Sequence, residues 1–124
     1  MNLAIDSNRY TDLVKGDPKT LDILERASTI YVPLIVLGEL RAGFACENRS
    51  EVNERKLIEF LNTEGVQILS PNESTTLIYA DLYKELRRLG KLIPTNDLWI
   101  ASLCIQFNLV LFARDKHFAS IARL

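Results

Sequence analysis

The stretch "LVLFARD", residues 109–115, runs through five apolar residues, Leu109 to Ala113, and stops at Arg114 and the carboxylate of Asp115. Without polar alternation, such a run predicts a strand covered on both faces, as in a parallel sheet. The chain opens on a shorter version, "NLAID" (2–6), and "TIYVP" (29–33) and "VQIL" (66–69) are two further strand candidates. Helical patterns fill the gaps. "DSN" supplies cap residues for a helix from about Asn8 to Lys15, which "GDP" (16–18) ends; Asp17 and Pro18 then cap and open another, with Leu21, Ile23, Leu24 and Ala27 on its apolar face. "LIVLGELRAGFA" (34–45) sets Val36, Leu40, Gly43 and Phe44 at helical spacing, with Gly38 and Gly43 read as close-packing points. Asn48 and Glu51 have capping-box spacing for a helix through Leu57, Ile58 and Leu61 that ends near Gly65 and packs back as a hairpin. Ser70, Pro71 and Glu73 predict the start of a helix that stops at Gly90. Thr95 or Asn96 is the expected cap of the next, whose body is apolar nearly all round and belongs in a core or a subunit interface. "KHFASIARL" (116–124) reads as a last short helix. Strands alternating with helices define an α/β class.

Bulk properties limit the rest. A chain of 124 residues, 48% hydrophobic and 25% charged, fits one folded domain spanning 1–124. A net charge of -1 means that a polyanion partner must be held by a local patch or through a metal. Cys46 and Cys104 are far apart and lack zinc-ligand spacing, which favours free thiols and a reducing cytoplasm. "MNLAIDSNRY" has no basic leader, and Tyr31 to Leu37, interrupted by Pro33, is too short to span a bilayer; no export or membrane segment is expected.

The acids fall where the chain turns. All strands of a parallel sheet point the same way, and ligands bind at their carboxyl ends. Asp6 and Asp115 belong to that edge, Glu39 follows the second strand within the first helical turns, and Asp97 begins the helix leading into the fourth. Any one of them is explained as a helix cap, but their joint placement allows four carboxylates to converge. Like charges out of bulk water need a counterion: an Arg or Lys, or a divalent cation. Oxygen ligands suit Mg2+ or Mn2+, which activate water and neutralise charge in phosphate-ester hydrolysis.

"LAIDSN" (3–8), "PLIVLGELRAG" (33–43), "PTNDLWIAS" (94–102) and "LFARDKHF" (111–118), in that order and spacing, resemble the PIN-domain ribonucleases, most closely the VapC toxins of toxin–antitoxin pairs. The resemblance covers almost the whole chain. It implies a PIN-like three-layer sandwich with a four- or five-stranded parallel sheet, and Asp6, Glu39, Asp97 and Asp115 as the catalytic, metal-binding acids. It further implies Mg2+- or Mn2+-dependent hydrolysis of RNA to 5′-phosphate and 3′-hydroxyl ends, a homodimer, and silencing by a VapB-like antitoxin. Two departures stand out. Many relatives carry Thr or Ser two residues before the last acid, where this chain has Ala113, and many continue into a fifth strand beyond the last helix.

His117, the only histidine, reads most simply as a helix-start or packing residue, since metal-activated water needs no histidine base. Lys84, Arg87, Arg88 and Lys91 form a basic helix end, most simply solvated; Arg9, Arg41, Arg114 and Lys116, closer to the acids, are better phosphate-positioning candidates, Arg41 and Arg114 equally so as structural ion-pair partners. Tyr10, Tyr31, Phe44 and Trp99 read as core or dimer interface, and Asp81 as an exposed helix residue. A phospho-acceptor receiver is disfavoured because the third strand ends in "LSPN" without an acid. The remaining alternative is a PIN fold with weakened catalysis that binds RNA or a partner.

Overall fold

The computed structural model describes residues 1–124. Four strands, β1 (Asn2–Ile5), β2 (Thr29–Pro33), β3 (Val66–Leu69) and β4 (Val110–Phe112), form one sheet in the order β3-β2-β1-β4, every pair parallel. The helices are α1 (Ser7–Val14), α2 (Pro18–Arg26), α3 (Leu34–Ala45), α4 (Ser50–Leu61), α5 (Glu73–Arg88) and α6 (Thr95–Phe107), followed by a 3-10 turn at Lys116–Ser120.

Leu3, Ala4 and Ile5 are all buried. Successive strand residues point to opposite faces, so β1 is covered on both sides and the architecture has three layers. The expected α6 is also largely internal: Leu98, Ile100, Ala101, Ser102, Leu103 and Cys104 are buried, and the Ser102 hydroxyl, which cannot reach water, donates to the Leu98 carbonyl at 2.7 Å. Burial pushes the Cys104 thiol up to about 12, which leaves it inert at neutral pH. The sheet edges are different. Ile68 of β3 and Val110 of β4 are exposed.

Several local expectations are corrected. Ser70 and Pro71 do not start α5; Asn72 caps it, accepting from the Thr75 N–H while the Thr75 hydroxyl accepts from the Asn72 N–H. Gln106 of α6 joins that cap by donating to the Asn72 side chain at 3.1 Å, a tertiary contact that decides between adjacent candidate caps. Asn48 does not cap α4, which begins after Arg49 with no side-chain cap, and Thr95 and Asn96 lie inside α6, which begins after Pro94. A Cβ at Gly38 or Gly43 would meet nothing within 4 Å, so neither glycine serves close packing. The final helix is only the 3-10 turn. Asp17, by contrast, caps α2 as its sequence indicates, its carboxylate accepting from the Thr20 N–H and hydroxyl at 3.0 and 2.8 Å.

The strand order positions the site. From β1 the chain moves to β2 and then β3 on one side, and returns through α5 and α6 to place β4 on the other. The connections therefore part at the carboxyl ends of β1 and β4, the crevice where open α/β sheets hold ligands.

Candidate active site

Leu3, Ala4 and Ile5 pair with Val110, Leu111 and Phe112, and the next amide continues the ladder, the Asp6 N–H donating to the Phe112 carbonyl at 3.3 Å. Asp6 is thereby level with Ala113, at the mouth of the crevice. It is also the cap of α1, its Oδ1 accepting from the Arg9 N–H at 2.8 Å. Burial holds its carboxyl above the usual range, opposed by the Arg9 and Arg114 amides and by the charges of both guanidinium groups.

Glu39, on the second turn of α3, accepts from the Ser7 hydroxyl at 3.0 Å, which fastens it to the residue following Asp6. Asp97 lies in the first turn of α6, where no side chain caps the helix. Asp115 caps the 3-10 turn, accepting from the His117 N–H at 2.9 Å. The His117 ring then turns toward both acids, Nδ1 lying 2.7 Å from Asp97 Oδ2 and 3.0 Å from Asp115 Oδ1.

Thus Asp97 and Asp115 meet directly with His117, one ligand atom from each lying within 4.8 Å of the others, while Asp6 and Glu39 are joined through Ser7 outside that tight group. His117 was the residue that sequence reasoning left out. Its backbone sits at a helix start, donating to Asp115, but its side chain spans 20 residues to Asp97, and only its position two residues after an acid gave a sign of this.

The basic residues separate in the same way. Arg41 makes a forked pair with Glu54, Nη2 to Oε1 at 2.7 Å and Nε to Oε1 at 3.0 Å, and so ties α3 to α4. Arg9 and Arg114 share Asp12, at 3.5 and 2.9 Å, while the Arg9 guanidinium lies over the Phe112 ring at 4.4 Å. The buried Arg9 Nε has no hydrogen-bond partner. Tyr10 packs on Phe60 in the core and Trp99 stacks on Tyr79 at 4.3 Å; Asp81 is exposed, as are Lys84, Arg87, Arg88 and Lys91. An apolar groove of about 690 Å³ along the outer side of β4 reaches Asp115 but none of the other acids.

The PIN domain family matches residues 3–124. The chain belongs to the PIN-domain family. This PIN domain is 35% identical over 129 residues to Ribonuclease VapC2 of Rickettsia felis, with 100% of this chain and 95% of the relative covered. It is 34% identical over 132 residues to Ribonuclease VapC1 of Haemophilus influenzae, with the same coverage. Among solved structures it is similar to VapBC2 from Rickettsia felis bound to a DNA fragment from its promoter, with a TM-score of 0.86 at 30% identity over 100% of this chain and 96% of that one. It is also similar to VapBC-1 from nontypeable Haemophilus influenzae, with a TM-score of 0.88 at 29% identity over 100% and 95% of the two chains.

PIN-domain ribonucleases are metal-dependent, and the donors of this PIN domain fit a divalent cation. Two carboxylates and an imidazole converge with no Lys or Arg side chain paired to them, since Arg114 is engaged by Asp12. No helix is long and apolar enough to cross a membrane.

Proposed function

We propose that this PIN domain, read as a single unit over residues 1–124, is a cytoplasmic endoribonuclease that uses Mg2+ or Mn2+ held by Asp6, Glu39, Asp97 and Asp115, and acts as the toxin of a toxin–antitoxin pair. The observation that carries the reading is the meeting of Asp97 and Asp115, 18 positions apart in sequence, around His117 beside the β1–β4 crevice. A bound cation supplies there an activated water and positive charge against the phosphoryl oxygens.

The chain's own residues do the positioning. The cap at Asp6 engages Oδ1 and leaves the second oxygen of that carboxylate, while at Asp115 the capping Oδ1 is itself the oxygen that faces the His117 ring. Arg9 and Arg114, braced by Asp12, flank the acids and are suited to orient the RNA phosphate. Arg41 is committed to Glu54, which supports a structural role for it. The relatives solved as VapBC complexes support a cognate VapB-like antitoxin as partner; a homodimer is what membership of the PIN-domain family implies.

The test is cleavage of structured RNA by purified chain, free of antitoxin, with Mg2+ or Mn2+ supplied, beside Asp6→Asn and Asp97→Asn. Wild type cleaves and both variants do not. Equal inactivity of all three with either metal would overturn the nuclease reading and favour a PIN fold that only binds RNA or a partner, the alternative to which Ala113 gives weight.

A further inference from the structure

We propose that His117 is itself a metal ligand: its Nδ1 joins Asp97 and Asp115 in a mixed nitrogen–oxygen face that shifts the site's preference from Mg2+ toward first-row transition ions such as Mn2+. The proposal rests on the metal-dependent reading above and adds to it a donor and a selectivity.

The geometry comes first. Nδ1 lies 2.7 Å from Asp97 Oδ2 and 3.0 Å from Asp115 Oδ1. Neighbouring corners of an octahedron with metal–ligand bonds of about 2.0–2.1 Å are about 2.9 Å apart, so Nδ1 already has the spacing of a ligand adjacent to each oxygen, and the two oxygens lie within 4.8 Å of each other. The ring is also held there. The His117 N–H is bonded to Asp115, and the next residue, Phe118, is buried in the core, so the backbone bearing the imidazole is anchored on both sides.

The chemistry agrees. A single Nδ1 faces two carboxylate oxygens; one N–H divided between two acceptors satisfies them less well than a cation at their centre, toward which all three atoms present lone pairs. With Nδ1 as donor atom the proton resides on Nε2, and the ring is half-exposed, which leaves that N–H in reach of solvent. Mg2+ takes oxygen ligands and keeps much of its water, whereas transition ions accept imidazole readily. An imidazole in the set therefore discriminates between them.

The test uses untagged full-length chain, in which His117 is the only histidine. Pulsed EPR of the Mn2+-loaded protein should show nitrogen hyperfine coupling from a directly bound imidazole, converted to the 15N pattern when histidine alone is labelled. In Mn2+/Mg2+ competition, His117→Gln should lower Mn2+ affinity about ten-fold and change Mg2+ affinity less than about three-fold. Mn2+ bound without label-sensitive coupling, or an equal loss for both ions in His117→Gln, would overturn the role of His117 while leaving the acid-held metal intact. Failure of wild type to bind Mn2+, or equal binding by Asp97→Asn, would remove the metal site and this inference with it. If His117→Gln does not fold, the labelled wild-type spectrum decides alone.

Discussion

Asp6 and Asp115 each act as a helix cap and each remain at the crevice: at Asp6 the cap engages Oδ1 and leaves the second oxygen, whereas at Asp115 the capping Oδ1 also lies 3.0 Å from the His117 Nδ1. Asp6→Asn separates the two roles. Asparagine caps as well as aspartate, so the bond from the Arg9 N–H survives, while the buried charge is removed. The raised carboxyl of Asp6 means that ionisation is disfavoured in the fold: its contribution to stability is fully present below the unfolded value of 3.8 and is lost as pH rises through the folded value. At neutral pH the metal-free Asp6→Asn chain should therefore melt at the same temperature as wild type or higher, yet cleave RNA more than about 100-fold more slowly. Calorimetry in chelator beside a cleavage assay checks both, and a large loss of stability would make Asp6 chiefly structural. Ala113 belongs to this scale too, since it is the residue level with Asp6 and brings no hydroxyl to the site.

Among the helices, the beginnings differ in how they are secured. At α2 the Asp17 carboxyl is held below its ordinary value by the Thr20 hydroxyl and then the Thr20 N–H. The sign is opposite to that of Asp6: the stabilisation is present above the unfolded value of 3.8 and is lost as pH falls through the lower folded value. Asp17→Ala should lower the melting temperature at pH 7, and the gap from wild type should close as the pH is taken below 3.8; a gap independent of pH would assign the effect to packing. At α5 the cap is shared with α6 through Asn72, Thr75 and Gln106. Thr75→Val keeps the volume of this fully buried side chain and deletes its hydroxyl, leaving the Asn72 N–H and Gln106 Oε1 without it. A loss of about 1–2 kcal/mol is expected, read as a lower urea midpoint with an unchanged slope.

For the molecule as a whole, the core and the site are built from different residues. The buried apolar cluster runs from Leu3 to Ile121 and includes none of the four acids, although Asp6 is buried beside it. Chelation should therefore abolish cleavage and leave the far-ultraviolet dichroism unchanged, with activity restored by Mn2+ or Mg2+. Unfolding on chelation would instead make the metal structural. The topology links the two parts: β1 and β4 belong to the core along their lengths and open onto the crevice only at their carboxyl ends.

The alternation of apolar strands with helices, the parallel sheet and the edge bearing Asp6 and Asp115 were legible from the chain because they follow from local periodicity and from strand direction. The four PIN-like motifs were legible as well, since their spacing is a property of the sequence. The starts of α4, α5 and α6 were not: α4 and α6 begin after Arg49 and Pro94 with no side-chain cap, and at α5 Ser70 and Asn72 have similar local propensity while only Asn72 also meets Gln106 across the fold. His117 was not legible for the same reason. A lone histidine beside an acid has no helical or strand period to identify its partner, and only folding brings Asp97, 20 residues earlier, within 2.7 Å of its ring. Direction and periodicity are local and survive in one dimension; convergence of side chains depends on long-range packing, which is specified only in three.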